Sequence, residues 1–197
     1  MKLQAIKKCC NAYGTYAIMN CPDGQQWLGC GEACWPVEGI FIKAKAVPAI
    51  FDISAKKKDE MNIREGEWTD LRFQIIQTAD EALLEDAGNI LHNGTIYKVL
   101  DGPEGVLLID NDLVKPAERG KYDLRYTIRP MKDRTPLVAV YADMFVNGIV
   151  MPIAPESAHK ILERMGRIAG MRVRGYMKPK EDEPEGEQMS MEGGAEA

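Results

Sequence analysis

The sequence predicts an α+β fold in which a mostly antiparallel sheet packs against a few helices. First, residues 136–155 contain two runs rich in β-branched and aromatic residues, 137–142 and 144–151, with prolines at both ends. Second, shorter alternating segments precede them, separated by turns that contain Gly or Asp, as is typical of antiparallel strands. Third, apolar residues at helical spacing lie near both ends of the chain. Together these patterns favour a sheet flanked by helices.

The first half predicts one clear helix followed by strands. Residues 2–13 place Leu3, Ile6 and Cys10 on one helical face, and Gly14 ends the segment. Strands are predicted at 15–19, 26–30, 33–37, 61–64 and 71–76. A helix within 42–53 is expected to begin at Pro48, because proline removes a backbone donor and clashes one turn back.

The second half predicts a helix, a hairpin and further strands. Residues 79–91 carry apolar side chains at helical spacing, namely Leu83, Leu84, Ala87, Ile90 and Leu91. A hairpin is predicted from 96–100 and 105–109, then a short helix at 111–118 and a strand at 123–129. Asn147-Gly148 interrupts the last predicted strand and indicates a bulge or tight bend. An amphipathic helix starts at Pro155.

The two halves share a pattern that predicts two small domains. Residues 16–38 and 96–118 both show a strand, a turn containing Asp and Gly, a second strand, a short segment and a proline. The predicted organisation is an N-terminal α+β domain at 1–77, a C-terminal α+β domain at 78–178 that includes the final helix, and a disordered acidic tail at 179–197. Common hairpin patterning without a true repeat is the alternative.

Charge separates the tail from the rest of the chain. The 197 residues carry a net charge of −5, and seven acidic residues with no basic residue lie within 181–197. The remainder is therefore close to neutral at +2, which is compatible with nucleic-acid contact without requiring it. Lys7 and Lys8 interrupt the N-terminal region where a signal peptide would be apolar, and no run is long enough to span a membrane. A cytosolic protein with reduced thiols is expected.

No pattern typical of catalysis or of a cofactor site occurs in the sequence. Cys9, Cys10, Cys21, Cys30 and Cys34 lack the paired spacing of structural zinc sites, so buried free thiols are favoured over zinc. An acidic group could in principle bind a divalent cation, but solvated turns are the simpler interpretation; it comprises Asp101, Glu104, Asp110, Asp112 and Glu118. The sequence therefore predicts a protein that is not an enzyme and uses neither metal nor cofactor.

Basic residues on predicted helices suggest non-specific DNA contact. If these helices faced one concave surface, their side chains would contact phosphates without reading sequence. The residues expected to do so are Lys7, Lys8, Lys43, Lys45, Lys160, Arg164 and Arg167. Ordinary solvated helix faces are the alternative.

Residues 105–153 resemble the last domain of a bacteriophage-type DNA polymerase sliding clamp. Residues 113–118 match the short helix of that domain, and 149–153 match its closing strand with a Met-Pro dipeptide. The resemblance implies two clamp-like domains, a ring of three copies, and a non-enzymatic role in phage replication in the cytoplasm of a bacterial host. It also implies that Met151, Pro152 and Ile153 line a hydrophobic pocket for partner peptides.

The tail contains a second similarity to clamp systems. Gln188, Met189 and Met191 resemble the start of a bacterial clamp-binding peptide, although Glu192 stands where an apolar residue would follow. The tail could then dock on a clamp, and a chance match in a Met-containing tail is the alternative. The basic helix and acidic tail depart from the clamp pattern. The alternative function is a phage-encoded protein-binding module or inhibitor that engages a host replication or defence protein.

Overall fold

The computed structural model describes residues 3–67, 80–118, 120, 123–130 and 136–176, with side chains up to Arg167 in the last helix. The predicted strand at 71–76, the predicted boundary at 77/78 and the tail at 179–197 lie outside the described residues.

Five α-helices are described, and two of them adjoin short 3-10 turns at Ala44–Ala46 and Lys115–Ala117. The helices are α1 (Leu3–Tyr13), α2 (Val47–Ile50), α3 (Ala55–Asp59), α4 (Asn111–Val114) and α5 (Pro155–Tyr176). Pro48 lies in the first turn of α2, where its missing N–H costs no hydrogen bond, and the helix begins one residue earlier than predicted, at Val47.

Ten strands are described, and all of them belong to one sheet. They are β1 (Thr15–Asn20), β2 (Gln26–Gly29), β3 (Ala33–Val37), β4 (Asn62–Glu67), β5 (Ala82–His92), β6 (Thr95–Gly102), β7 (Gly105–Asp110), β8 (Leu124–Arg129), β9 (Leu137–Ala142) and β10 (Phe145–Val150). Their order is β4-β1-β2-β3-β10-β9-β8-β5-β6-β7, and only the described pair β1–β4 is parallel. The predicted α+β class with a mostly antiparallel sheet is confirmed.

The middle of this sheet is buried on both faces. Along β9, Val138 and Val140 belong to a large apolar cluster with α1 and α4, whereas Ala139 and Tyr141 belong to a second cluster with Trp27. Because successive side chains point to opposite faces, burial on both sides requires a continuous apolar run. That requirement explains why 137–142 and 145–150 are the most strand-like stretches of the sequence.

The chain divides into two compact units. One unit spans Met1–His159, and a second begins at Lys160. The strands described on either side of the predicted boundary at 77/78 share the sheet, because β3 pairs with β10 through Ala33 and Cys34. No helix of the described part of the chain combines the length and apolar character needed to cross a membrane.

The helix predicted at 79–91 is wrong, because these residues form most of strand β5. Leu83 and Leu91, two of the apolar residues at this helical spacing, are 58% and 64% exposed. Leu91 lies opposite Ile96 on β6, so the two side chains form an apolar cross-strand pair. Gly88, at φ +108°, ends a bulge that begins at Asp86. Because apolar residues lie on both faces of this bulged strand, their spacing in the sequence resembles that of an amphipathic helix.

The shared pattern of the two halves ends in different structures. In the first half, the segment before the proline is strand β3, which contains Pro36. In the second half, the corresponding segment is α4 followed by a 3-10 turn that contains Pro116. The match therefore covers the hairpins and not the element after them.

Candidate functional site

The segment that follows β10 crosses between two parts of the first unit. The N–H of Met151 donates to the Glu32 carbonyl in the β2–β3 turn, and the N–H of Ile153 donates to the Leu108 carbonyl in β7, both at 2.8 Å. Pro152 between them has no N–H to satisfy, and Pro155 favours extended backbone at the residue before it. Residues 151–154 are thus fixed by main-chain bonds without joining a strand.

This segment forms one wall of an open pocket of about 570 Å³, a size typical of ligand sites. Most of the lining residues are apolar, and four of them carry polar or charged side chains. The apolar lining residues are Leu113, Met151, Pro152, Ile153, Ala154 and Pro155, and the others are Tyr13, Glu32, Asp110 and Glu156. Pro152 is buried and Ile153 half-buried, while Met151 is 40% exposed. The pocket therefore offers apolar surface to an incoming side chain.

Tyr13 and Asp110 connect α1 to the opposite wall. Gly14, at φ +64°, ends α1 directly after Tyr13. The Tyr13 hydroxyl donates to Asp110 Oδ2 at 3.2 Å, and Asp110 Oδ1 accepts the N–H of Asp112 at 2.9 Å, which caps α4. Burial and the adjacent Asp110 carboxylate both raise the pKa of Tyr13, so it remains a neutral donor. One carboxylate thus fixes both Tyr13 and the helix that carries Leu113.

A close approach at Gly148 positions the same helix. The predicted interruption at Asn147-Gly148 is confirmed as a register shift between Val146 and Gly148. A Cβ on Gly148 would lie 2.9 Å from Trp35 Cδ1, so glycine leaves room for the indole. Trp35 Nε1 donates to the Leu113 carbonyl at 3.2 Å. The bulge, the indole and α4 therefore form one packed support beneath the pocket wall.

The structure brings together three of the six predicted partner-binding residues. Met151, Pro152 and Ile153 line the pocket described above. Gln188, Met189 and Met191 lie outside the described residues.

The predicted DNA-binding residues fall into three separate groups. Lys7 and Lys8 lie on α1, where Lys8 Nζ is 3.6 Å from Asp112. Lys43 precedes the 3-10 turn at Ala44–Ala46 and Lys45 lies within it, and Lys43 Nζ is 3.2 Å from Glu65. Hydrogen bonds from the Ala44 N–H and other donors lower the pKa of Glu65. The described contacts do not join these two groups.

The third basic group belongs to the second unit. Lys160, Arg164 and Arg167 are exposed on α5, at positions that share one helical face. Arg167 lies 3.9 Å from Glu163. This face is the most concentrated set of described cations among the predicted DNA contacts.

The cysteines are unpaired thiols, and four of them are buried. Cys9 Sγ donates to the Asp112 carbonyl and Cys10 Sγ to the Gly29 carbonyl. Within the described part of the chain, no three or more His, Cys, Asp or Glu side chains are arranged to hold a metal ion. Of the predicted acidic group, Asp110 caps α4, and Asp112 pairs with Lys115 and Lys8. The bond from Lys115 lowers the pKa of Asp112.

Stability is expected to decrease as pH rises above about 9. Burial raises the pKa of Cys9 to about 12, and it also raises the pKa of Cys10 and Cys34. The unfolded chain therefore releases thiol protons that the folded chain retains, which costs about 1.4 kcal/mol per pH unit for each thiol. Urea unfolding in reductant measures this loss, and a midpoint that stays constant to about pH 11 would contradict it.

Sequence reasoning missed a buried polar network centred on Glu81. Arg129 Nη2 and Nε lie 2.6 and 2.7 Å from Glu81 Oε1, and the Tyr141 hydroxyl donates to Oε2 at 2.6 Å. Thr127 also donates to Oε2. The side chains of Glu81 and Arg129 are 0% and 3% exposed. The available signal was weak, since Arg129 is one of two arginines in β8 and nothing in the sequence distinguishes it from the exposed Arg125.

No protein-family model, curated protein or solved structure matches this chain. The sequence and the geometry described above are therefore the basis for a functional proposal.

Proposed function

We propose that this protein acts by binding another protein, and that the pocket at residues 151–155 receives an apolar side chain of the partner. The observation that carries the proposal is the fixed apolar wall at Met151 and Ile153, which is only partly buried. A preformed wall reduces the ordering cost of binding, because its backbone is already held on both sides by hydrogen bonds.

The burial pattern supports the same proposal. Ile153 is half-buried and Met151 is 40% exposed, so an incoming side chain would complete the burial of both. Removing apolar surface from water is the main favourable contribution to association. Methionine also adapts its shape to different ligands, which suits a peptide-binding site.

Ile153→Ser is expected to weaken partner binding roughly tenfold, because the change removes most of an apolar contact worth about 1.5 kcal/mol. The measurement is the affinity of peptides selected from a displayed random library against the full-length protein. The variant should retain a cooperative thermal melt, since Ile153 lies outside the strands.

Met144→Ser is the matched control. Met144 is 71% exposed and lies outside the pocket lining, so its replacement should leave the selected peptides bound as tightly as before. A library that yields no binder, or binders indifferent to Ile153→Ser, would contradict the proposal.

A sliding-clamp role in phage replication is the second candidate function. The exposed basic face of α5, with Lys160, Arg164 and Arg167, is the observation that favours it. Such a face suits contact with phosphates that is independent of sequence. In this role two clamp-like domains per chain and three copies would close into a ring, and Met151–Ile153 would recruit replication proteins in the bacterial cytoplasm.

Light scattering on the full chain is expected to give a mass near three copies if the clamp role is correct. Replacing Lys160, Arg164 and Arg167 by Glu should then reduce the slope of log affinity for DNA against log salt by about 2–3, since each phosphate contact contributes about 0.9.

The matched control replaces Lys56, Lys57 and Lys58 of α3, because this triple changes the charge equally at exposed positions. A mass of one chain, or equal effects of the two triple variants on DNA binding, would exclude the clamp role and leave the pocket proposal standing.

A further inference from the structure

Carboxylates surround the apolar wall of the pocket. Glu32 and Glu156 are exposed, and Asp110 is half-buried beside Tyr13. All three line the pocket, and no Lys, Arg or His is among the described lining residues. A ligand that enters the pocket therefore meets negative charge on several sides.

Two lysines offset part of this charge. Lys8 and Lys115 both pair with Asp112, which follows the lining residue Asp110 by two positions and is not itself a lining residue. Asp112 already balances one of these lysines, and the three lining carboxylates of Glu32, Asp110 and Glu156 outnumber the other. The electrostatic potential of the lining carboxylates, which form the rim of the pocket, extends across the open pocket. Salt screens this potential over roughly 8–10 Å at physiological ionic strength.

We propose that the pocket binds a basic peptide segment. An apolar side chain of the peptide packs against the wall at Met151 and Ile153, and neighbouring Lys or Arg side chains face Glu32 and Glu156. This inference rests on the proposed function and adds the chemistry of the partner to it. Apolar contact supplies the anchor, and the complementary charges supply selectivity and faster association.

Two other occupants fit the charge less well. The tail of this chain carries seven acidic residues and no basic residue within 181–197, so it repels the rim. Nucleic acid carries a dense negative charge along its backbone and is disfavoured here for the same reason.

The probe is the pool of peptides selected on the full-length protein from a displayed random library. We expect the selected peptides to be enriched in Lys or Arg next to an apolar residue. The best peptide is then synthesised, together with a version in which Glu replaces every Lys and Arg, and with a peptide of residues 181–197. The first should bind, with an affinity that rises at low salt, and the other two should not bind.

Glu32→Gln combined with Glu156→Gln should weaken the basic peptide roughly fivefold at low salt, which corresponds to about 1 kcal/mol. Both residues are exposed, so the double variant should fold normally. Glu60→Gln is the control, because Glu60 is an exposed carboxylate outside the pocket lining.

The outcomes separate the two proposals. The selected peptides could instead be apolar without an excess of basic residues, depend on Ile153 and be unaffected by the double variant. That result would overturn the basic-partner inference and keep the pocket function. Binding of the 181–197 peptide at the pocket would also overturn the inference. Absence of any selected peptide would overturn both.

Discussion

Val150→Asp is expected to unfold the protein. Val150 is fully buried in β10, opposite Val138 on β9 and Ala33 on β3, at the centre of the sheet. A carboxylate there would have to lose its hydration without a partner, or take up a proton, and either cost exceeds about 4 kcal/mol. Because a typical domain is stable by only about 5–15 kcal/mol, we expect little folded protein at 37 °C. Circular dichroism during a thermal melt measures this effect.

Met144→Asp provides the control for charge alone. Met144 lies in the turn before the same strand and is 71% exposed, so the same substitution should change stability by less than about 0.5 kcal/mol. A cooperative melt of Val150→Asp close to that of the control would refute the central position of β10.

Glu81→Gln is expected to cost about 3–5 kcal/mol of stability, because it removes the buried carboxylate that pairs with the Arg129 guanidinium. The Tyr141 and Thr127 hydroxyls, which donate to Glu81, would also lose a charged acceptor. The free energy of unfolding in urea, monitored by tryptophan fluorescence, measures this change.

Two further variants identify the origin of that cost. Glu60→Gln removes an exposed carboxylate and should change stability little. Glu81→Gln combined with Arg129→Met should be less destabilised than the sum of the two single changes, since both members of the buried ion pair are then removed together. Strict additivity would mean that the buried charges are not coupled.

The local sequence pattern predicted the strands correctly where they are buried on both faces, because such strands need continuous apolar runs. Strands β9 and β10 combine β-branched residues with flanking prolines, and the hairpin β6–β7 is marked by its turn at 103–104. In these places propensity, periodicity and turn chemistry agree, which makes prediction dependable. The sheet order was not predictable, because the pairing of β3 with β10 depends on packing between residues more than 110 positions apart.

Prediction failed where tertiary contacts override local periodicity. Strand β5 exposes Leu83 and Leu91, and a bulge interrupts its alternation, so its sequence resembles a helix. Its pairing with β6 and β8 satisfies the backbone and determines the outcome. Secondary-structure propensity is a weak signal when such long-range pairing is available.

The candidate site was predictable only in part. The resemblance to clamps predicts a pocket at Met151, Pro152 and Ile153, and these residues do line one. The opposite wall could not be predicted, since Tyr13, Glu32 and Asp110 come from three distant positions in the sequence. Their proximity follows from the end of α1 at Gly14 and from the Asp110 cap of α4. The network around Glu81 likewise depends on strand pairing between β8 and β9.

The most direct test of the pocket proposal is the NMR signal of the Met151 methyl group during titration with a peptide selected on the full-length protein. The protein is labelled at its methionine methyls, and Met151→Leu assigns the signal. We predict that the Met151 signal shifts on binding, while that of Met144, outside the pocket lining, remains in place. A bound peptide that leaves the Met151 signal unchanged and shifts the Met144 signal instead would contradict the proposal.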